Sequence, residues 1–290
     1  MSPEARQPVE VLGVRLDALT APEAVARIRC GIQEGKRSHV VTVNPEMIMR
    51  ARHDSAYRKI LNGADLCLAD GMGTIWAAHY LGRPHRRGPL LALRAYGFAL
   101  WWLLMLAIWP ARLMRRLPGT VPGSDLVRDL TGMCEEFGYR PFLLGAASGV
   151  AVSAAEELQG EFPEVRIAGA TAGSPRAVDD ASVRREVAAA EAEVLFVAYG
   201  VPKQEQWIAR NLPKLPRPIV AVGVGGSFDY LAKAASVEGG SVAKPPPGIV
   251  RRRGFEWLWR LITQPSRRRR VVTAFPLFVR AVVRDARLDK

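Results

Sequence analysis

The chain has 290 residues, 49% of them hydrophobic, and carries 41 Lys and Arg against 28 Asp and Glu for a net charge of +13. That apolar fraction is enough for a core and excludes an intrinsically disordered chain. The excess charge is local: seven Arg and no acid lie between Arg83 and Arg116, twelve basic residues face Glu256, Asp285 and Asp289 from Arg251 onward, and the remaining 216 residues sum to −3. A body that is slightly acidic argues against a uniformly basic nucleic-acid binder.

Taken in order, residues 9–16 read as a strand or the start of a hairpin. Thr20 with Glu23 three residues on reads as a capping box opening a helix to about residue 32. Short apolar or β-branched runs at 39–42, 65–69, 141–144, 165–170, 194–198 and 219–224 are each followed by Gly, Asn, Asp or Pro, and most are separated by stretches of helical length. Repeated βα units of this kind imply an α/β fold, a Rossmann-like, mostly parallel sheet with helices on both faces. The rhythm breaks twice. Residues 85–118 form an apolar helical insertion, with 17 uncharged residues at 95–111 between Arg94 and Arg112. Beyond about residue 240 a small-residue and Pro-rich linker leads to a basic, Trp-bearing stretch. The expected organisation is an α/β body at 1–240 and, at 241–290, a linker and a C-terminal helical membrane appendage. Cys30, Cys67 and Cys134 form no CxxC or even disulfide set, which fits a reducing compartment. The N-terminal residues lack the apolar run of a signal peptide, so a cytoplasmic location is expected.

In parallel α/β sheets ligands bind beyond the carboxyl ends of the strands. Thr42 and Asn44 end one run. Asp70 ends the next and is followed by Gly71 and Gly73, which permit a tight turn. Asp70 at that place either acts as a general base on an acceptor hydroxyl or caps the helix that starts near Met72. Gly145 opens a small-residue loop before a helix, a weak anion signal. Gly200 precedes Lys203 and Gln204, a cation and an amide able to hold phosphate and uracil or sugar hydroxyls. Gly225, Gly226 and Asp229 form a third glycine turn. Three such turns with one carboxylate suggest a nucleotide or nucleotide-sugar site. The four His are scattered, no DxD pair occurs, and no metal site is expected.

These blocks resemble a known family. Thr42 to Glu46, Ala64 to Gly73, Val121 to Leu126, Phe142 to Gly145, Gly200 to Ile208, Gly223 to Asp229 and Gly254 to Leu261 are similar, in order, to the signature segments of the WecG/TagA/CpsF glycosyltransferases, glycosyltransferase family twenty-six. The resemblance implies an inverting, metal-independent transfer of a hexose, of N-acetylmannosamine or glucose type, from a UDP-sugar to a polyprenyl-diphosphate-linked saccharide in exopolysaccharide or cell-envelope synthesis, without a cofactor. It implies that Asp70 is the base, that Thr42 and Asn44 position hydroxyls, and that Lys203, Gln204 and the glycine turn at 223–226 hold the donor. Arg251, Arg253 and Arg260 would meet the diphosphate. The sequence departs from the family pattern at Thr120, where an Arg is usual, and in its longer linker before Lys244.

A single membrane pass through 95–111 would put Asp70 and Lys203 on opposite sides of the bilayer, so the segment is expected to lie in the interface or re-enter, with Trp101, Trp102 and Trp109 among headgroups. The alternative is a buried core helix or an oligomer interface. Trp257, Trp259 and the apolar residues at 271–283 read as a second membrane contact at the cytoplasmic face of the inner membrane. The expected partners are a UDP-sugar, a polyprenyl-diphosphate acceptor, an anionic membrane surface and a possible second copy of the chain, without nucleic acid. The rival readings are a non-catalytic polysaccharide-assembly protein and a basic nucleic-acid-binding protein.

Overall fold

A computed structural model of the chain describes residues 6–82, 97, 101, 117–232 and 276–286. A hairpin of β1 (Val9–Val11) and β2 (Val14–Leu16) comes first, and its turn places Leu12 and Gly13 at φ of 50° and 83°. Helix α1 (Ala21–Gln33) opens on the expected capping box: the Glu23 N–H donates to the Thr20 hydroxyl, and the Glu23 carboxylate accepts from the Thr20 N–H at 2.8 Å. Then follow β3 (Ser38–Val43), α2 (Pro45–His53), α3 (Ser55–Asn62), β4 (Leu66–Ala69) and α4 (Met72–Leu81). After the insertion come α5 (Gly123–Phe137), β5 (Pro141–Gly145), α6 (Val150–Glu161), β6 (Gly169–Thr171), α7 (Asp180–Ala189), β7 (Val194–Ala198), α8 (Lys203–Asn211), β8 (Val220–Gly223) and α9 (Phe228–Leu231). A last helix, α10, covers 276–285.

Strands β3 to β8 form one sheet in the order β4-β3-β8-β7-β5-β6, parallel at every pairing. The inner strands are apolar along their whole length because both faces are covered; every residue of β5, β7 and β8 is buried. On one face α1, α5, α6 and α9 pack through Ile28, Leu126, Leu130, Ala154, Leu158 and Phe228. On the other, α2, α3 and α4 cover β3 and β4, while α7 and α8 cover β5, β7 and β8. The helices that follow β5 and β7 therefore leave to opposite faces, as do those that follow β3 and β8. In parallel sheets ligands bind at the carboxyl edge beside such divergences.

Two expectations need correction. The run at 165–170 pairs only at its end: β6 begins at Gly169, and Val165 is a buried loop residue. Gly169 tolerates no side chain, since a Cβ there would stand 2.6 Å from the Phe142 ring. The second concerns 271–283, read as membrane-contacting. Within it Phe278, Val279, Ala281, Val282 and Val283 are buried in the same core cluster as Trp76, Ala77 and Tyr80 of α4, with the Phe278 ring edge-on to Trp76 at 6.3 Å. Arg280 and Arg284 point to solvent. The apolar stripe of α10 thus serves the body's own core, and the proposed boundary at residue 241 does not mark the end of the body. The remainder of the expected appendage, with Trp257 and Trp259, lies outside the described residues, as does the insertion apart from Gly97 and Trp101, the latter 52% exposed. Among the described residues no helix is long and apolar enough to cross a membrane.

If α10 is a core element, Phe278→Ala should cost about 3 to 5 kcal/mol of stability. A chemical-denaturation midpoint equal to that of the wild type would contradict the packing.

Candidate active site

Parallel pairing brings the residues after β4, β3, β8, β7 and β5 to one edge in that spatial order, and β4 to β7 spans about 14 Å at the usual strand spacing. Asp70 follows β4. Its N–H donates to the Val43 carbonyl at 2.8 Å and its own carbonyl accepts from the Thr74 hydroxyl at 2.9 Å, so its backbone is fixed between β3 and the first turn of α4. The cap position of α4 is Gly71, at φ 81° and with open space where a Cβ would stand. Of the two readings of Asp70, helix cap or reactive carboxylate, the structure gives the cap position to its neighbour.

Thr42 and Asn44 are committed to the scaffold. The buried Thr42 hydroxyl donates to the Gly223 carbonyl at 3.0 Å, tying β3 to β8 and leaving only lone pairs to offer. Asn44 caps α2, its Oδ1 accepting from the Met47 N–H at 3.1 Å. Gln204 is 2% exposed, and its Oε1 accepts from both the Gly200 N–H at 3.1 Å and the Gly225 N–H at 3.0 Å. It clasps the turns after β7 and β8 together instead of reaching outward. Lys203, one residue earlier, is exposed at the start of α8. Gly200 and Gly225 have positive φ and open space around them; Gly226 lies against the Asp229 carboxylate. Gly145 is a packing position: a Cβ there would stand 2.7 Å from the Ala198 backbone. The exposed part of its loop is 147–149. Arg251, Arg253 and Arg260 lie outside the described residues, as do Trp102 and Trp109.

Four helices start on or beside this edge without a side-chain cap: α4, α5, α6 and α8. Uncapped N-termini leave backbone N–H groups unsatisfied and favour negative charge. The start of α5 was not anticipated as part of the site. The Val121 N–H donates to the Ala69 carbonyl at 2.8 Å, and Gly123 sits so close to Val224 and Ser227 that a Cβ would stand 3.1 Å from each. The signal was the Pro-Gly at a helix start, where only glycine lets the helix approach β8.

Sequence reasoning also missed a buried acid behind the edge. Glu205 has no exposed surface and its Oε2 accepts from the Tyr57 hydroxyl of α3 at 3.0 Å. Burial pushes its carboxyl up to about 7, against the opposing pull of the Gln204 side chain, its own backbone N–H and the Tyr57 hydroxyl. Burial and the neighbouring acid push Tyr57 up as well. Among the described residues no group of three or more His, Cys, Asp and Glu is assembled to hold a metal ion.

A parallel sheet with helices on both faces, with Asp70 and several uncapped helix N-termini at its carboxyl edge, defines an α/β protein that presents anion-ready backbone beside a potential base. Within that class the chain belongs to the glycosyl transferase WecG/TagA/CpsF family, whose model matches residues 9–105 and 104–290, and it is a glycosyltransferase. It is 30% identical over 88% of its length to an N-acetylglucosaminyldiphosphoundecaprenol N-acetyl-beta-D-mannosaminyltransferase of Bacillus spizizenii, 82% of which is covered. A protein of the same name from Bacillus subtilis is 27% identical over 87% of this chain and 81% of its own. Another from Staphylococcus aureus is 26% identical over 97% and 94%.

The cap assignment for Asn44 makes a prediction. Asn44→Ala should lose about 1 kcal/mol of stability while Asn44→Asp, which keeps a capping oxygen, stays near wild type. Equal denaturation midpoints for the two variants would remove the cap as the residue's role.

Proposed function

We propose that the protein transfers a hexose, of N-acetylmannosamine or glucose type, from a UDP-sugar to a polyprenyl-diphosphate-linked saccharide, with inversion and without a metal or other cofactor, in the synthesis of a cell-envelope or exopolysaccharide. The observation that carries this reading is Asp70 standing on the same sheet edge as four uncapped helix N-termini. The names of the relatives supply the acceptor class, a diphosphoundecaprenol carrying N-acetylglucosamine, and the N-acetylmannosaminyl group transferred.

The chemistry follows from the residue types. The Asp70 carboxylate takes the proton of the acceptor hydroxyl as that oxygen attacks the anomeric carbon. The bond from that carbon to the UDP oxygen breaks on the opposite side, which inverts the centre. General-base help of this kind is worth about 10² to 10⁴ in rate. Charge gathering on the departing diphosphate is met by backbone N–H groups at the uncapped starts of α4, α6 and α8, by Lys203, and by Arg251, Arg253 or Arg260. Thr42 and Asn44 act by fixing the strand ends; Asp229 braces the glycine turn.

We further infer that the protein works at the cytoplasmic face of a membrane, held there by the insertion at 85–118 and the basic stretch at 241–275. Support comes from charge and composition: Arg clusters flank Trp-rich apolar residues, which suit anionic headgroups. The slightly acidic body and the family membership both disfavour nucleic acid as partner.

A transfer assay with a panel of UDP-sugars and a short polyprenyl-diphosphate acceptor, run in EDTA, should show wild-type turnover. In it Asp70→Asn should lose about 10² to 10⁴ in kcat while still binding donor. Unchanged kcat in Asp70→Asn would sink the base assignment. For the membrane reading, deletion of residues 89–116 should release the protein from anionic vesicles in co-sedimentation. If the deleted protein sediments as well as the intact one, the insertion is not the anchor.

A further inference from the structure

The backbone around Asp70 is held from three sides. The Asp70 N–H donates to the Val43 carbonyl of β3 at 2.8 Å, and the Ala69 carbonyl before it accepts from the Val121 N–H at 2.8 Å. Both bonds join backbone to backbone and do not depend on which side chains are present. The third belongs to a side chain: the Thr74 hydroxyl donates to the Asp70 carbonyl at 2.9 Å. Thr74 is fully buried in the first turn of α4, and its oxygen also stands 3.5 Å from the Val43 carbonyl. A hydroxyl has one proton to give, and the shorter contact takes it.

Threonine hydroxyls inside helices often bond back to a carbonyl four residues earlier, one that a backbone N–H already serves. The geometry here is different. Asp70 lies before α4, which begins at Met72, and the Thr74 N–H goes to the Gly71 carbonyl at 3.1 Å. The peptide between Asp70 and Gly71 is the corner where the strand turns into the helix. Gly71 stands there at φ 81° and ψ 147°, with nothing within 4 Å of where a Cβ would be, so no side chain restrains the corner from that residue. Without the Thr74 bond, Asp70 and the start of α4 are free to shift relative to each other.

We propose that Thr74 is a positioning residue for the transfer: its hydroxyl closes the Asp70–Gly71 corner and so holds the carboxylate in register with the N–H groups at the start of α4. This rests on the reading of Asp70 as the base. The base serves the bond that forms and the helix N-terminus serves the one that breaks, so their separation matters; a misplacement of about 1 Å can cost about 10² in rate. The hydroxyl is buried beneath the edge between two carbonyls, so it acts through Asp70 and not on a ligand.

The test sets Thr74→Ser, which keeps the hydroxyl, against Thr74→Ala and Thr74→Val, which lose it, the first leaving space and the second filling it. The full chain is assayed for transfer with the UDP-sugar of the panel that wild type turns over fastest. Thr74→Ser should stay within about threefold of the wild-type kcat, while Thr74→Ala and Thr74→Val should each lose about tenfold in kcat with KM values within about twofold. In an Asp70→Asn background the same replacements should change kcat no further, because no base remains to be held. Wild-type kcat in Thr74→Ala and Thr74→Val, loss of UDP binding in step with kcat, or an undiminished tenfold loss in the Asp70→Asn background overturns the proposal while leaving Asp70 as the base. Wild-type turnover by Asp70→Asn, or no turnover by wild type across the panel, overturns both readings.

Discussion

Six strands running the same way are the constraint on which the rest of the molecule depends. Because every pairing from β4 to β6 is parallel, residues as distant in sequence as Asp70 and Gly225 leave the sheet on one edge, two strands apart. The same direction of travel makes each following helix start where its strand ends, so helix N-termini accumulate beside Asp70. The cost of parallel pairing is burial of both faces, which accounts for the unbroken apolar runs of β5, β7 and β8. Site and core are consequences of one topological choice.

The edge is held together by side-chain bonds to neighbouring backbone. Thr42, Asn44 and Gln204 each spend a polar atom on neighbouring backbone: a carbonyl of β8, a helix terminus and two glycine N–H groups. Such groups at a strand end have to be satisfied once the helices close over them, since an unmade buried hydrogen bond costs roughly 1 to 3 kcal/mol. Lys203 is exposed at the start of α8, and Gly200 and Gly225 have open space where a side chain would stand.

Much of this was legible beforehand. The capping box at Thr20 and Glu23 is local chemistry, and β7 was read to the residue because an unbroken apolar run ending in Gly200 has little other use. Asp70 could be singled out because glycine follows it. The run at 165–170 misled because Val165 and Ile167 are apolar for packing against other helices and not for ladder pairing. The stripe of α10 misled for a deeper reason: a helix that is apolar on one side and bears Arg on the other looks the same against a bilayer as against Trp76 and Tyr80. The partnership of Tyr57 with Glu205 spans 148 residues and leaves no periodic trace.

The docking of α10 ties the last described helix back to the body. Residue 232 ends a helix region packed on one face of the sheet, and residue 278 is buried with α4 on the other, so the chain between them is anchored to one body at both ends. With the chain cut between 232 and 276, α10 would be held to the body by packing alone, through Phe278, Val282 and their neighbours around Trp76.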